Sequence, residues 1–114
     1  MSAMAIRSFE PQASRPVAQW RGRSGRVHAL TPLVLADFSL EAGRIYVLAA
    51  SGTVCWVGEI GDLVAEAANR TALRNALASA DAAFAIAAPE DEIARMTLAW
   101  DLEAATLVDA LKLV

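Results

Sequence analysis

The sequence predicts an α+β fold, an antiparallel sheet of two β-hairpins with an intervening helix or helix pair packed on one face and a short C-terminal helix. Three patterns support this prediction. Two β-rich runs flank Ser51-Gly52, apolar residues take helical spacing after Gly61, and apolar and polar residues alternate again near the end of the chain. Strands on either side of a helical stretch are typical of sheets that carry their helices on one face.

Composition is that of one folded domain. Of the 114 residues 56% are hydrophobic and 20% are charged, unlike the composition of disordered chains. The longest apolar run, residues 82–88, is much shorter than the ~20 residues that span a bilayer, so we expect no membrane contact. The first residues lack a secretion signal and the single cysteine, Cys55, has no internal partner, which favours a cytoplasmic location.

Positive charge is concentrated at the start of the chain. Residues 1–26 hold five arginines and one glutamate, whereas residues 27–114 hold five basic and twelve acidic residues. Because prolines and glycines interrupt the first stretch, we predict a basic extended N-terminal arm at 1–26 and a single α+β domain at 27–114. The arm residues Arg21, Arg23 and Arg26 are the predicted contacts to an acidic protein surface.

The first predicted strand lies within residues 27–40, where apolar residues recur every second position from Val34 to Leu40. Pro32 lacks a backbone N–H, so we expect it at the beginning of a strand or on a sheet edge. The residues that follow, 41–43, are predicted to form a turn.

The clearest element is a hairpin of Arg44–Ala50 and Thr53–Glu59 joined by the two-residue loop Ser51-Gly52. Direct pairing across that loop gives one wholly apolar face, which we predict to be the core side. This face consists of Ile45, Val47, Ala49, Val54 and Trp56. The opposite face is predicted to be the surface of a homodimer interface or a shallow pocket. It consists of Tyr46, Leu48, Cys55 and Val57.

The rest of the chain is predicted as helix, strand, hairpin and helix. Residues 60–80 are predicted to form one bent helix or two helices that meet at 69–71, and residues 82–88 are predicted to form a buried strand. After an acidic turn at 89–92, the alternation in Arg95–Glu103 predicts a strand of the second hairpin. The spacing of apolar residues in 106–114 predicts the C-terminal helix.

Few residues suit catalysis. His28 and Cys55 form a base and a nucleophile only if the fold joins them, and Cys55 is predicted to pack in a strand. Asp101 and Glu103 lie on one side of their predicted strand, where paired acids more often face solvent than divide acid and base roles. A zinc site needs about four Cys or His ligands and no glycine motif for nucleotides is present, so we expect no metal and no cofactor.

The run from Ile45 to Gly58, followed by a helix, is similar to the start of PAS and roadblock-type domains. That resemblance implies a sensor or scaffold domain, and it assigns no site residue. From the apolar surplus and the hairpin with two apolar faces, we predict a non-catalytic protein-interaction or self-assembly domain that forms a homo-oligomer. The alternatives are a PAS-like small-molecule sensor, a small enzyme that uses His28/Cys55 or Asp101/Glu103, and nucleic-acid binding through the arm, which the net charge of −3 disfavours.

Overall fold

The computed structural model describes residues 17–108, which form a closed antiparallel β-barrel with helices packed against it. Six strands close in the order β1-β2-β5-β3-β4-β6. They are β1 (Ala18–Arg21), β2 (Val27–Leu33), β3 (Arg44–Ala50), β4 (Thr53–Gly58), β5 (Ala82–Ala87) and β6 (Thr106–Leu107). The predicted open sheet with helices on one face is therefore wrong.

Two short strands close the barrel. In β1, Trp20 pairs with Leu107 of β6, and Thr106 of β6 also pairs with Thr53 of β4. The described part of the predicted arm, residues 17–26, contains β1 and its turn into β2, and residues 1–16 lie outside the described residues. The predicted C-terminal helix is wrong at residues 106–107, and residues 109–114 lie outside the description.

The helices are α1 (Ile60–Ala65), α2 (Ala67–Ser79) and α3 (Glu92–Glu103), and a 3-10 turn at Leu35–Asp37 replaces the predicted strand alternation there. The helix pair breaks at Glu66, whose backbone is extended, and not at residues 69–71. Side chains of Asn69 and Arg70 in α2 donate instead to backbone oxygens of α1. Within residues 17–108 no helix is both long enough and apolar enough to cross a bilayer.

The predicted strand at Arg95–Glu103 is the helix α3. Asp91 caps it, because its side chain accepts a hydrogen bond from the Ala94 N–H at 2.9 Å. The alternation that suggested a strand comes from two apolar stripes on opposite sides of one helix. Leu98 and Leu102 face the barrel, and Met96 and Trp100 face solvent.

The hairpin of β3 and β4 forms around Ser51-Gly52, which both take positive φ as a tight hairpin turn requires. Its register differs from the prediction beyond the first two pairs. Ala49 pairs with Val54 and Leu48 pairs with Trp56, so Cys55 is the extra residue of a β-bulge. The bulge sends Trp56 outside the barrel and Val57 inside, the reverse of the predicted faces.

Two apolar clusters stabilise the fold, one inside the barrel and one between the barrel and α2. The buried members of the inner cluster are Trp20, Leu30, Ile45, Val47, Ala49, Phe84, Leu102 and Ala105. The outer cluster has Leu48, Leu73, Ala76 and Ala83 as buried members, with Trp56 and residues of the 33–40 loop against it. Strand β3 is thus buried on both faces, because the same chain covers the second apolar face of the hairpin.

Direct pairing would place Leu48 and Cys55 opposite each other on one face, but the bulge separates them. Replacing each by alanine should therefore change the free energy of unfolding by different amounts. Leu48→Ala should lower the free energy of unfolding by about 2–5 kcal/mol, because Leu48 is 0% exposed in the outer cluster. Cys55→Ala should change it by less than about 0.5 kcal/mol, because Cys55 is exposed. Urea unfolding measures both, and equal costs would contradict the observed register.

Candidate functional site

The carboxylate of Asp101 joins α3 to the first hairpin of the barrel. The residue is only 4% exposed, and its Oδ2 lies 2.7 Å from Nε2 of His28 on β2. Its Oδ1 accepts a hydrogen bond from the Ser24 N–H at 2.6 Å, and its backbone oxygen accepts one from the Arg23 N–H at 2.9 Å. These contacts hold the end of α3 against the turn between β1 and β2.

Gly22 makes this close contact feasible. A Cβ atom at position 22 would overlap the Asp101 carboxyl group and would lie 3.0 Å from the backbone oxygen of the same residue. The glycine has no unusual φ, so its function here is to leave space. The Asp101 carboxyl group therefore occupies the space that a side chain at position 22 would need.

The hydrogen bonds to Asp101 favour its charged form. Burial alone would raise its pKa, but donation from His28 and Ser24 outweighs burial, and the pKa of Asp101 lies below its ordinary value. Hydrogen bonds from His28 and Ser24 thus stabilise the negative charge of the Asp101 carboxylate.

Arg23 covers the end of α3 from the outside. Its guanidinium lies 4.5 Å from the centre of the Trp100 ring, and its Nε donates to the Trp100 backbone oxygen at 3.3 Å. Its Nη2 is 3.9 Å from Glu103 Oε1. The basic turn between β1 and β2 is therefore fixed beside the C-terminal end of α3.

The solvent side of α3 carries an apolar stripe, which we call the outer stripe. It consists of Ile93, Met96 and Trp100, which are 73%, 64% and 51% exposed. Spacings of three and four residues place all three side chains on one side of the helix, away from the barrel. Acidic residues 90–92 lie at its N-terminal end, and Arg23 lies at the other.

A cleft of about 430 Å³ opens between α3 and the start of β2, and we call it the His28 cleft. Its walls are largely apolar, with polar groups from β2 and the preceding turn. The lining residues are Ser24, Arg26, His28, Pro89, Ala94, Thr97, Leu98, Trp100 and Asp101. The interior of the barrel, by contrast, is filled by the inner cluster.

The structure does not bring the predicted catalytic pairs together. His28 on β2 and Cys55 on β4 lie on opposite sides of the barrel, three strands apart in either direction. Partial burial raises the pKa of the Cys55 thiol, and the Asp81 carboxylate adds to this more weakly, while a backbone hydrogen bond acts in the opposite direction. The raised pKa disfavours the thiolate, which is the nucleophilic form. Asp101 is buried against His28, whereas Glu103 is exposed near Arg23.

The other predicted site residues are separated as well. On the predicted interface face, Tyr46 and Leu48 are buried within the chain, Val57 packs against the inner cluster, and Cys55 alone is exposed. In the predicted arm, Arg21 donates to the Gly25 oxygen, Arg23 covers Trp100, and Arg26 lines the His28 cleft. These arginines thus belong to a structured hairpin of the barrel.

Sequence reasoning missed the His28–Asp101 pair and the outer stripe. Nothing local signals a pair whose members are 73 residues apart. The start of α3 did leave a signal, because Pro89 followed by Asp91 and Glu92 is typical of a capped helix N-terminus.

Among residues 17–108, no cluster of three or more His, Cys, Asp or Glu side chains is placed to hold a metal ion. Comparison with protein-family models, curated proteins and solved structures finds no match to the chain.

The pKa of Asp101 predicts acid sensitivity at this site. Because the native pKa is lowered, the contribution of Asp101 to stability should be complete above the unfolded value of about 3.9 and should be lost as the pH falls through the native value. At neutral pH, Asp101→Asn should lower the free energy of unfolding by about 1–3 kcal/mol. The difference from the wild type should shrink in urea unfolding below about pH 4, and a difference that grows there would contradict this account.

The close contact at position 22 predicts a cost for even the smallest side chain. Gly22→Ala should destabilise the chain, because Asp101 must move from His28 and Ser24 to make room. Gly61→Ala is the matched control, since a Cβ at Gly61 meets nothing within 4 Å and helix α1 gains a better helix former. Thermal unfolding should show a clear loss for the first variant and no loss, or a gain, for the second. Equal effects would mean that the space at Gly22 is unimportant.

Proposed function

We propose that the chain is a self-assembly domain that forms a homodimer through the outer stripe of α3. The observation that carries this proposal is that α3 is apolar on two sides. One side packs into the barrel through Leu98 and Leu102, and the other leaves three large apolar side chains in solvent. A helix that is apolar on both sides is expected to be covered on both.

The strands offer no comparable surface in the described part of the chain. Both faces of β3 are covered from within, by the inner cluster and by α2 with the 33–40 loop. The strands also pair in a closed ring, in which β4 meets β6 at Thr53 alone and α3 packs against β4. The proposed dimer contact therefore moves from the hairpin to α3.

Charge complementarity supports a second copy as the occupant. Glu90, Asp91 and Glu92 give the N-terminal end of α3 negative charge, and at the C-terminal end the exposed guanidinium of Arg23 is the positive group, with Glu103 Oε1 3.9 Å away. In a two-fold contact with antiparallel helices, Glu92 of one copy lies near Arg23 of the other, and the helix dipoles also oppose each other favourably. Ile93 then packs toward Trp100 of the second copy, with Met96 near the centre.

Replacement of Met96 tests the proposal. Sedimentation equilibrium from low micromolar to submillimolar protein should show a reversible wild-type dimer and a monomeric Met96→Glu, because the two carboxylates would meet near the two-fold axis without a partner. Val34→Glu is the matched control: Val34 is 65% exposed, close to the 64% of Met96, and it lies at the other end of β2 from His28. The control should dimerise like the wild type.

The same measurement tests the orientation of the helices. Glu92→Arg alone and Arg23→Glu alone should weaken the dimer at low salt, and the double variant should recover at least part of the loss. A wild type that is monomeric throughout contradicts the proposal. A dimer that survives Met96→Glu contradicts the assignment to α3.

A further inference from the structure

The His28 cleft has the volume and the lining of a small-ligand site. Its volume of about 430 Å³ lies within the ~300–1,000 Å³ range of clefts that hold small molecules. One wall is apolar and comes from α3 and the preceding loop, with Pro89, Ala94, Leu98 and the ring of Trp100. Such a wall suits an aromatic ring or a branched hydrocarbon group.

The opposite wall carries the positive charge of Arg26, which forms no ion pair within the described residues. The Arg26 side chain forms no ion pair or hydrogen bond with any other residue in 17–108, although its backbone N–H donates to Ser24 Oγ at 3.2 Å. A guanidinium at the edge of an apolar cleft is well suited to bind a carboxylate through two parallel hydrogen bonds.

His28 adds a fixed polar group to this wall. Its Nε2 is held by Asp101 at 2.7 Å, so the ring cannot turn without breaking that contact, and Nδ1 is the ring atom left for a ligand. Both carboxylate oxygens of Asp101 are already occupied, by His28 and by the Ser24 N–H. The Asp101 oxygens are thus engaged within the chain, whereas the Arg26 guanidinium has no ion-pair partner among residues 17–108.

We propose that the His28 cleft binds a small organic carboxylate that carries an aromatic or branched apolar group. The apolar part packs on Trp100 and Leu98, and the carboxylate accepts hydrogen bonds from Arg26. Trp100 borders both the cleft and the outer stripe, whereas Ile93 and Met96 belong to the outer stripe alone and line no part of the cleft.

Titration of ¹⁵N-labelled protein with 3-phenylpropionate, followed by NMR, tests this proposal. The amide signals of Ser24, His28, Thr97 and Leu98 should shift and saturate with a dissociation constant of about 1 mM or lower. The neutral analogue 3-phenylpropionamide should bind about tenfold more weakly, because it lacks the charge that Arg26 recognises. The titration is repeated on Met96→Glu, so that a failure of dimerisation and a failure of ligand binding are separate results.

Three variants assign the binding to the cleft. Arg26→Gln should weaken 3-phenylpropionate binding about tenfold and leave the amide analogue unchanged. Arg74→Gln is the charge control, because Arg74 is exposed on α2 and lines no part of the cleft. Thr97→Phe, at an exposed lining position, should fill the cleft and abolish the shifts.

Several results would overturn the proposal. These are shifts that do not saturate, equal affinity for the acid and the amide, and shifts confined to the outer stripe at Ile93 and Met96. A loss of binding in Arg74→Gln as large as in Arg26→Gln would also count against it, since it would reflect net charge alone.

Discussion

The Asp101 carboxylate, with donors from His28 and Ser24, fixes how α3 sits on the barrel. Its neighbour Leu102 is fully buried in the inner cluster, so one polar and one apolar anchor lie side by side at the end of the helix. Once these two residues are placed, the rotation of α3 about its axis is determined. The outer stripe and the position of Trp100 beside the His28 cleft both follow from that rotation.

The closed barrel determines which apolar surface is left over. The hairpin of β3 and β4 has two apolar faces, and the fold covers both, one with the inner cluster and one with α2 and the 33–40 loop. An apolar surplus in the composition therefore need not indicate an interface at the most apolar element. Here three large exposed apolar side chains lie together on one side of α3, whose other side packs into the core.

The sequence predicted the β3–β4 hairpin, the helical stretch of α1 and α2, and β5, but it did not predict α3, β6 or the closed arrangement of the strands. Ser51-Gly52 predicted the hairpin because tight turns have a local chemistry, and strand β5 was predicted from its continuous apolar run. The bulge at Cys55 has no comparable local signal, and it exchanges the faces of Trp56 and Val57. The alternation in α3 was mistaken for that of a strand. Met96 and Trp100 lie on one side of the helix and Leu98 and Leu102 on the other, so that an apolar residue occurs at every second position of the sequence.

Closure of the barrel could not be predicted either, because it depends on pairing between residues far apart in the sequence. β1 and β6 are short, and they become strands through pairing with distant partners, Leu107 with Trp20 for example. That pairing also has a consequence for biosynthesis. β1 cannot pair with β6 until residue 107 has left the ribosome, so the barrel cannot close around Trp20 before then. During that interval the sheet of the growing chain stays open between β1 and β4.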